Sequence, residues 1–188
     1  MKYFFKLTWA LRALLYLPWF GRFSLPSYIG PPLFLMGTRR MFIGKRVRIF
    51  PGLRAECHGK GRIFIHADVS IGQGFHIIAA DDLHIGGGCL ISGNVFITDT
   101  EHCYEEITRP VFEQANVVKQ TTIGENCFIG IGVCIQAGTT LGRGCVVGSN
   151  SVVRGDFPPH SVIVGAPARV VKRFNSVSGV WERADAPT

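Results

Sequence analysis

Residues 123–158 read IGENCF, IGIGVC, IQAGTT, LGRGCV, VGSNSV, VRGDFP. Ile123, Ile129, Ile135, Leu141, Val147 and Val153 stand six apart without a break, and Gly follows the aliphatic residue in four of the six units. The fifth position holds Cys127, Val133, Thr139, Cys145, Ser151 and finally Phe157. Neither a helix at 3.6 residues per turn nor a strand alternating at two produces a strict period of six. Short flat strands with a turn every six residues do. The aliphatic side chain then points inward from each face, the small fifth residue lies near a corner, and Gly or Asn relieves the backbone there. Three faces close a triangular coil of about eighteen residues, and coils stack about 4.8 Å apart through parallel ladder bonds. The spacing recurs at Ile65, Ile71 and Ile77 and at Ile85, Ile91 and Ile97. A weaker start at Ile43 and Ile49 is followed by an irregular stretch through residue 62. The expected architecture is all-β, a parallel β-helix over residues 43–164.

Outward from this core, the composition suits one folded domain. Of 188 residues, 47% are hydrophobic and 18% charged, so disorder is not expected. Twenty Lys and Arg against thirteen Asp and Glu give +7, which suits a phosphate-bearing ligand, nucleic acid or an anionic membrane surface. The basic residues are dispersed and lack interleaved aromatics, which argues against nucleic acid. The six cysteines form no CxxC pair, and Cys89, Cys127 and Cys145 share one phase of the repeat. They read as small buried thiols in a reducing cytosol. His66, His76, His84 and His102 share neither a phase nor the close spacing of a zinc site, so no metal is expected.

The register breaks between Ile97 and Ile123. The stretch TDTEHCYEEITRPVFEQANVVKQTT, residues 98–122, holds no hexads and is expected to leave the solenoid as an extruded loop, where function concentrates. It carries one histidine, His102, among Asp99, Glu101, Glu105 and Glu106. Residues 43–173 resemble the hexapeptide-repeat acyltransferase superfamily. The resemblance implies a left-handed solenoid, where the usual rule for parallel crossovers would give a right-handed one.

The likeness is closest in ITDTEH (97–102), the extruded loop and TIGENCFIGIGV (122–133), which are similar to the sugar and polysaccharide O-acetyltransferases of that superfamily. It implies that His102 is the general base that takes the acceptor hydroxyl's proton as the oxygen attacks the thioester of acetyl-CoA. Asp99 is the candidate to orient His102 or contact the acceptor, and the other loop glutamates are expected to be solvated. Direct transfer needs no nucleophile, although Cys103 beside His102 leaves an acyl-enzyme as the alternative. In AADDLHIG, residues 79–86, Asp82, with Asp81 as alternative, matches an aspartate that faces the acceptor pocket. The preceding QGFH departs from the Asn-containing phrase of the small-sugar enzymes, which speaks against a small free sugar. Matching the hexads places Phe128, Ile131, Gly132, Gly148, Ser149 and Arg154 along the CoA path. Arg169, Lys172 and Arg173 of SVIVGAPARVVKRF, residues 161–174, are candidates for its phosphates. The family's assembly implies a homotrimer with active sites between subunits.

Residues 1–42 show no hexads. YFFKLTWALRALLYLPWF, residues 3–20, is apolar and aromatic, but its longest uncharged run falls short of the ~20 residues that span a bilayer. It is expected to form a helix that either lies on the inner membrane leaflet or caps the solenoid. Trp9, Trp19, Tyr3 and Tyr16 suit an interface, and Lys2, Lys6, Arg12 and Arg22 suit anionic lipid. Residues 165–188 are expected to contact CoA and trail as a tail. The function expected is O-acetylation of a sugar in a cell-surface polysaccharide, such as lipopolysaccharide, or its lipid-linked precursor, carried out in the cytoplasm, with peripheral attachment to the inner membrane face an open possibility. Acetylation of an antibiotic or amino sugar, and a non-catalytic scaffold, are the alternatives.

Overall fold

The computed structural model describes residues 2–184, with side chains from Leu7 onward. The inward aliphatic residues stack on one another from coil to coil. Phe23, Ile43, Ile65, Ile85, Ile123, Leu141 and Phe157 are successive Cα partners in parallel register on one face. Three such sheets close the solenoid. Sheet A takes Arg22–Phe23, Met41–Ile43, Arg62–Ile65, Asp82–Ile85, Thr122–Ile123, Thr140–Leu141 and Asp156–Phe157. Sheet B takes Tyr28–Ile29, Arg48–Ile49, Ser70–Ile71, Leu90–Ile91, Phe128–Ile129, Val146–Val147 and Ser161–Gly165. Sheet C takes Phe34–Met36, Arg54–Cys57, His76–Ala79, Phe96–Thr98, Cys134–Ile135 and Val152–Val153. This is a left-handed parallel β-helix.

Burial follows the hexads. Ile71, Ile77, Ile85, Ile97, Ile129 and Ile135 are fully buried, while each residue just before them faces out at least in part. All six cysteines are free thiols, and Cys89, Cys127 and Cys145 line one inner corner column. Burial pushes the Cys57 thiol up to about 11, so it stays protonated and inert at neutral pH. At another corner Gly132 has φ +71°, and a Cβ there would lie 2.3 Å from Oδ1 of Asn150, itself left-handed in the next coil. The glycine lets that asparagine turn close over it.

The solenoid starts earlier than the spacing indicated. Arg22–Phe23, Tyr28–Ile29 and Phe34–Met36 pair in parallel with the next coil, so the segment expected as 1–42 divides after Gly21. Phe23, Ile29 and Leu35 do stand six apart, but only for one coil and among three prolines. The irregular register has one location. Hexads run unbroken from sheet A through B to C, and every insertion falls at the corner from C back to A. Residues 58–61 fill that corner in one coil, and residues 99–121 in the longest case.

The helix Lys2–Tyr16 closes the first coil and ends just before Pro18, which cannot continue it. Ala13 and Phe20 are buried, and Tyr16 and Leu17 pack on the core. Trp9, expected at a lipid interface, instead turns in against the rings of Tyr28 and Phe50, with centroids 5.8 and 5.5 Å away. The side chains of Lys2, Tyr3 and Lys6 lie outside the described residues. No described helix is long and apolar enough to cross a membrane. At the other end Ala168–Asn175 folds back antiparallel on Ser161–Gly165, and Val180–Arg183 pairs with it in turn.

Candidate active site

The loop leaves the C-to-A corner as a hairpin: Thr100–His102 pairs antiparallel with Asn116–Val118. Its base is fastened from several directions. The Lys119 amide donates to the Asp99 carbonyl (2.8 Å), and the Thr121 hydroxyl donates to the Thr98 carbonyl (2.9 Å). Glu101 accepts from Lys119 Nζ at 2.7 Å and from Arg154 Nη1 and Nη2 at 2.8 and 3.1 Å. These bonds, the Lys119 one first, hold its carboxyl below the usual carboxylate range. Glu101 therefore does not simply face solvent, as expected, but ties the hairpin to a coil beyond it. The same contact locates Arg154. It sits past sheet C, at the hairpin, and not with the residues matched to the CoA path.

The hairpin overhangs the outer face of sheet C. Phe96, Thr98, Cys134 and Gln136 form the floor of a cleft of about 290 Å³, and Glu101 and His102 form its wall. His102 is exposed, and no side-chain hydrogen bond engages its ring among the described residues. An imidazole so placed is free to accept a proton from a group lying in the cleft. The floor residues were not singled out in the sequence, although the signal was there. Phe96 and Cys134 each precede an inward hexad aliphatic, so both point out from the strand that abuts the loop. A hollow of similar size on sheet A, lined by Phe42, Lys45, Phe64 and His66, contains nothing from the hairpin.

No hydrogen bond joins the Asp99 carboxylate to His102 among the described residues. Asp99 is fully buried, and its carboxylate accepts from the Ala80 amide at 2.8 Å and the Asp81 amide at 2.9 Å. Burial raises its pKa despite those donors. Its geometry makes it the clamp between the hairpin's root and the turn of the coil below. Asp82 lies elsewhere too. It projects from sheet A and forms a bidentate pair with Arg62 at 2.7 and 2.5 Å, which lowers its pKa. Asp81 pairs with Lys60 at 3.3 Å. Within one chain neither aspartate reaches the cleft. Cys103 is part-buried and bonds through its backbone to Ala115.

The other residues expected on the CoA path do converge. Ile131, Gly132, Gly148 and Ser149 occupy the corner between sheets B and C in consecutive coils. A Cβ on Gly148 would lie 2.8 Å from Val164. Phe128 is 40% exposed on sheet B, and its register column continues through Val146 and Val162 to Lys172. Arg169 pairs with Val164 at the same edge, and Arg173 follows. A ridge of small and apolar residues thus leads to three exposed cations, a surface that fits an extended apolar chain ending in phosphates. No group of three or more His, Cys, Asp or Glu suited to a metal occurs among the described residues.

Three comparisons place this geometry. Residues 120–155 match the family described as bacterial transferase hexapeptide (six repeats). WbbJ of Escherichia coli (strain K12), which carries the name "Putative lipopolysaccharide biosynthesis O-acetyl transferase", is 33% identical over 164 residues, spanning 81% of this chain and 82% of its own. Among solved structures, a galactoside acetyltransferase in complex with coenzyme A superposes with TM-score 0.54 at 26% identity, over 72% of this chain and 71% of that one. AntD, an N-acyltransferase from Bacillus cereus, shares the fold with TM-score 0.73 at 17% identity, over 86% and 87% of the two chains. The chain belongs to the hexapeptide-repeat acetyltransferases.

Proposed function

We propose that the chain moves an acetyl group from acetyl-CoA to a hydroxyl of a sugar in a cell-surface polysaccharide or its lipid-linked precursor. The observation that carries this reading is the unengaged His102 imidazole on the wall of the sheet C cleft. A sugar hydroxyl in that cleft gives its proton to His102 while its oxygen attacks the thioester carbonyl. The C–S bond breaks, and the proton passes from the imidazole to the departing thiolate, so atoms and charge balance in one transfer. Acetyl-CoA enters as acyl donor along the corner of Ile131, Gly148 and Ser149, with its phosphates toward Arg169, Lys172 and Arg173. No metal takes part.

The relationship to WbbJ supports an O-linked acceptor in surface-polysaccharide assembly. The fold is shared with AntD, one variant of which was solved with dTDP-4-amino-4,6-dideoxyglucose and coenzyme A, and this keeps an amino-sugar acceptor as a second reading. The assembly that belongs to this reading of acetyl transfer is a homotrimer whose sites form between neighbouring subunits. The test is release of free thiol from acetyl-CoA across a panel of glycans, lipid-linked sugars, amino sugars and aminoglycosides. Thiol release with hydroxyl acceptors alone supports the reading. Release with amines alone favours the second, and a chain that fails to bind acetyl-CoA in calorimetry is a scaffold.

A further inference from the structure

The charge of this chain is unevenly distributed. Residues 1–55 contain ten Lys and Arg and no Asp or Glu, so that segment alone carries +10 while residues 56–188 carry −3. In space the segment is one end of the molecule: the helix Lys2–Tyr16 and the first two coils. Arg22, Arg39, Lys45 and Arg48 are exposed there, and none is in an ion pair among the described residues.

The helix has two apolar faces. Trp9, Ala13 and Tyr16 face the solenoid. Leu7, Leu11, Leu14 and Leu15 follow i, i+4, i+7, i+8 spacing on the opposite side and are 60%, 54%, 47% and 71% exposed. Trp19, just past the helix, is also exposed. A stripe of exposed leucines followed by an exposed tryptophan, at the end of the molecule that carries the cationic excess, has the composition of a helix lying in a lipid headgroup layer. A second copy of the same end is disfavoured, because it would bring +10 against +10.

We infer that this end of the molecule docks on an anionic lipid surface, with Leu7, Leu11, Leu14 and Leu15 inserted and the cations of the same end on the headgroups. This rests on the acetyl-transfer reading for its consequence and deepens it. Three coils separate the helix-capped coil from the coil that carries the cleft, on the order of 15 Å at the spacing of stacked strands. A sugar joined to a membrane lipid through a diphosphate would present its hydroxyls at that height. The helix thus caps the solenoid with one face and meets lipid with the other. In a trimer with its threefold axis along the coils, all three leucine faces lie at one end.

The test is co-sedimentation of the full chain with vesicles of phosphatidylcholine containing about one-third phosphatidylglycerol, and with phosphatidylcholine alone. Wild type should sediment with the anionic vesicles, less so at high salt, and weakly with the neutral ones. Leu11→Glu with Leu15→Glu should lower partition on the order of tenfold or more, with acetyl-CoA affinity and melting temperature unchanged because the inner face is intact. Arg39→Gln with Lys45→Gln, which leaves the helix untouched, should weaken binding several-fold per charge removed. Equal sedimentation of wild type and both variants overturns the inference, as does a wild type that ignores vesicles. A wild type that self-associates through this face, lost in the leucine variant, overturns it in favour of a second copy. If acetyl-CoA binds but vesicles do not, docking falls and the enzymatic reading stands. If acetyl-CoA itself fails to bind, the enzymatic reading falls.

Discussion

His102 and Asp99 are three residues apart and do different work. The imidazole hangs in a cleft with no side-chain partner, while the carboxylate is sealed beneath the hairpin on two backbone amides. Asp99→Ala should therefore act through the fold. Removing the acceptor of two part-buried amides costs about 2–4 kcal/mol, and the lost stability should appear as an earlier urea midpoint. Turnover should fall only as far as the hairpin loosens. A variant as stable as wild type and catalytically dead would place Asp99 in the reaction instead. Sequence alone made His102 legible, because it is the one histidine in the long stretch that interrupts the hexads between Ile97 and Ile123. It could not show where the Asp99 carboxylate goes, since nothing in TDTEH reveals that the amides of residues 80 and 81 lie within reach. That contact depends on how far the C-to-A corner bulges in two successive coils. Arg154 shows the same limit: the hexad phase fixes its face, but not the hairpin that folds down to Glu101.

At the scale of elements, the sheets carry ladders of outward side chains as regular as the inward ones. Phe42, Phe64 and His84 stack on sheet A at 4.8 and 4.4 Å, with the last two rings within 4° of parallel. Desolvation first, then nearby His66, lowers the pKa of His84. Desolvation first, then Arg54, does the same to His76 on sheet C, even though Glu56 lies 3.6 Å away. A histidine whose folded pKa lies below its unfolded one binds fewer protons when folded. Its contribution is complete above the unfolded value of 6.5 and is lost as pH falls through it. The melting temperature should therefore drop between about pH 7.5 and about pH 5.5. His84→Phe extends the stack with a ring that cannot titrate, so it should shrink that drop without lowering stability at neutral pH. A drop unchanged by His84→Phe would mean that His84 is not its source. The inward ladder was readable from the six-residue spacing wherever two or more coils repeated it. The first coil was not, because Phe23, Ile29 and Leu35 show the period once, with prolines between them.

The whole molecule is a column with distinct ends. One is helix-capped and cationic. The other is closed by the antiparallel strands that carry Arg169, Lys172 and Arg173. If those cations meet the phosphates of CoA, they bind ground and transition states alike, so Arg169→Ala with Lys172→Ala should raise the Michaelis constant and spare turnover. Because both side chains are exposed, the loss should be about ten- to a hundredfold, smaller at high salt. Wild type should distinguish acetyl-CoA from its dephospho form more sharply than the variant in titration calorimetry. Alike behaviour of the two proteins would leave this strand a solvated edge. Light scattering should give three times the mass of the chain, and a monomer at micromolar concentration would contradict a site shared between subunits. The solenoid could be read from the hexads, but its assembly could not, because outward residues such as Phe128 and Ile131 look the same whether they face water, cofactor or a neighbour.

The central claim is that His102 removes the acceptor's proton. The measurement that tests it most directly is steady-state thiol release by His102→Ala with the best acceptor from the glycan panel, alongside calorimetric titration with acetyl-CoA. Turnover should fall by a factor on the order of 10² to 10⁴, while acetyl-CoA affinity and melting temperature stay at wild-type values. Near-normal turnover in that variant would contradict the mechanism outright.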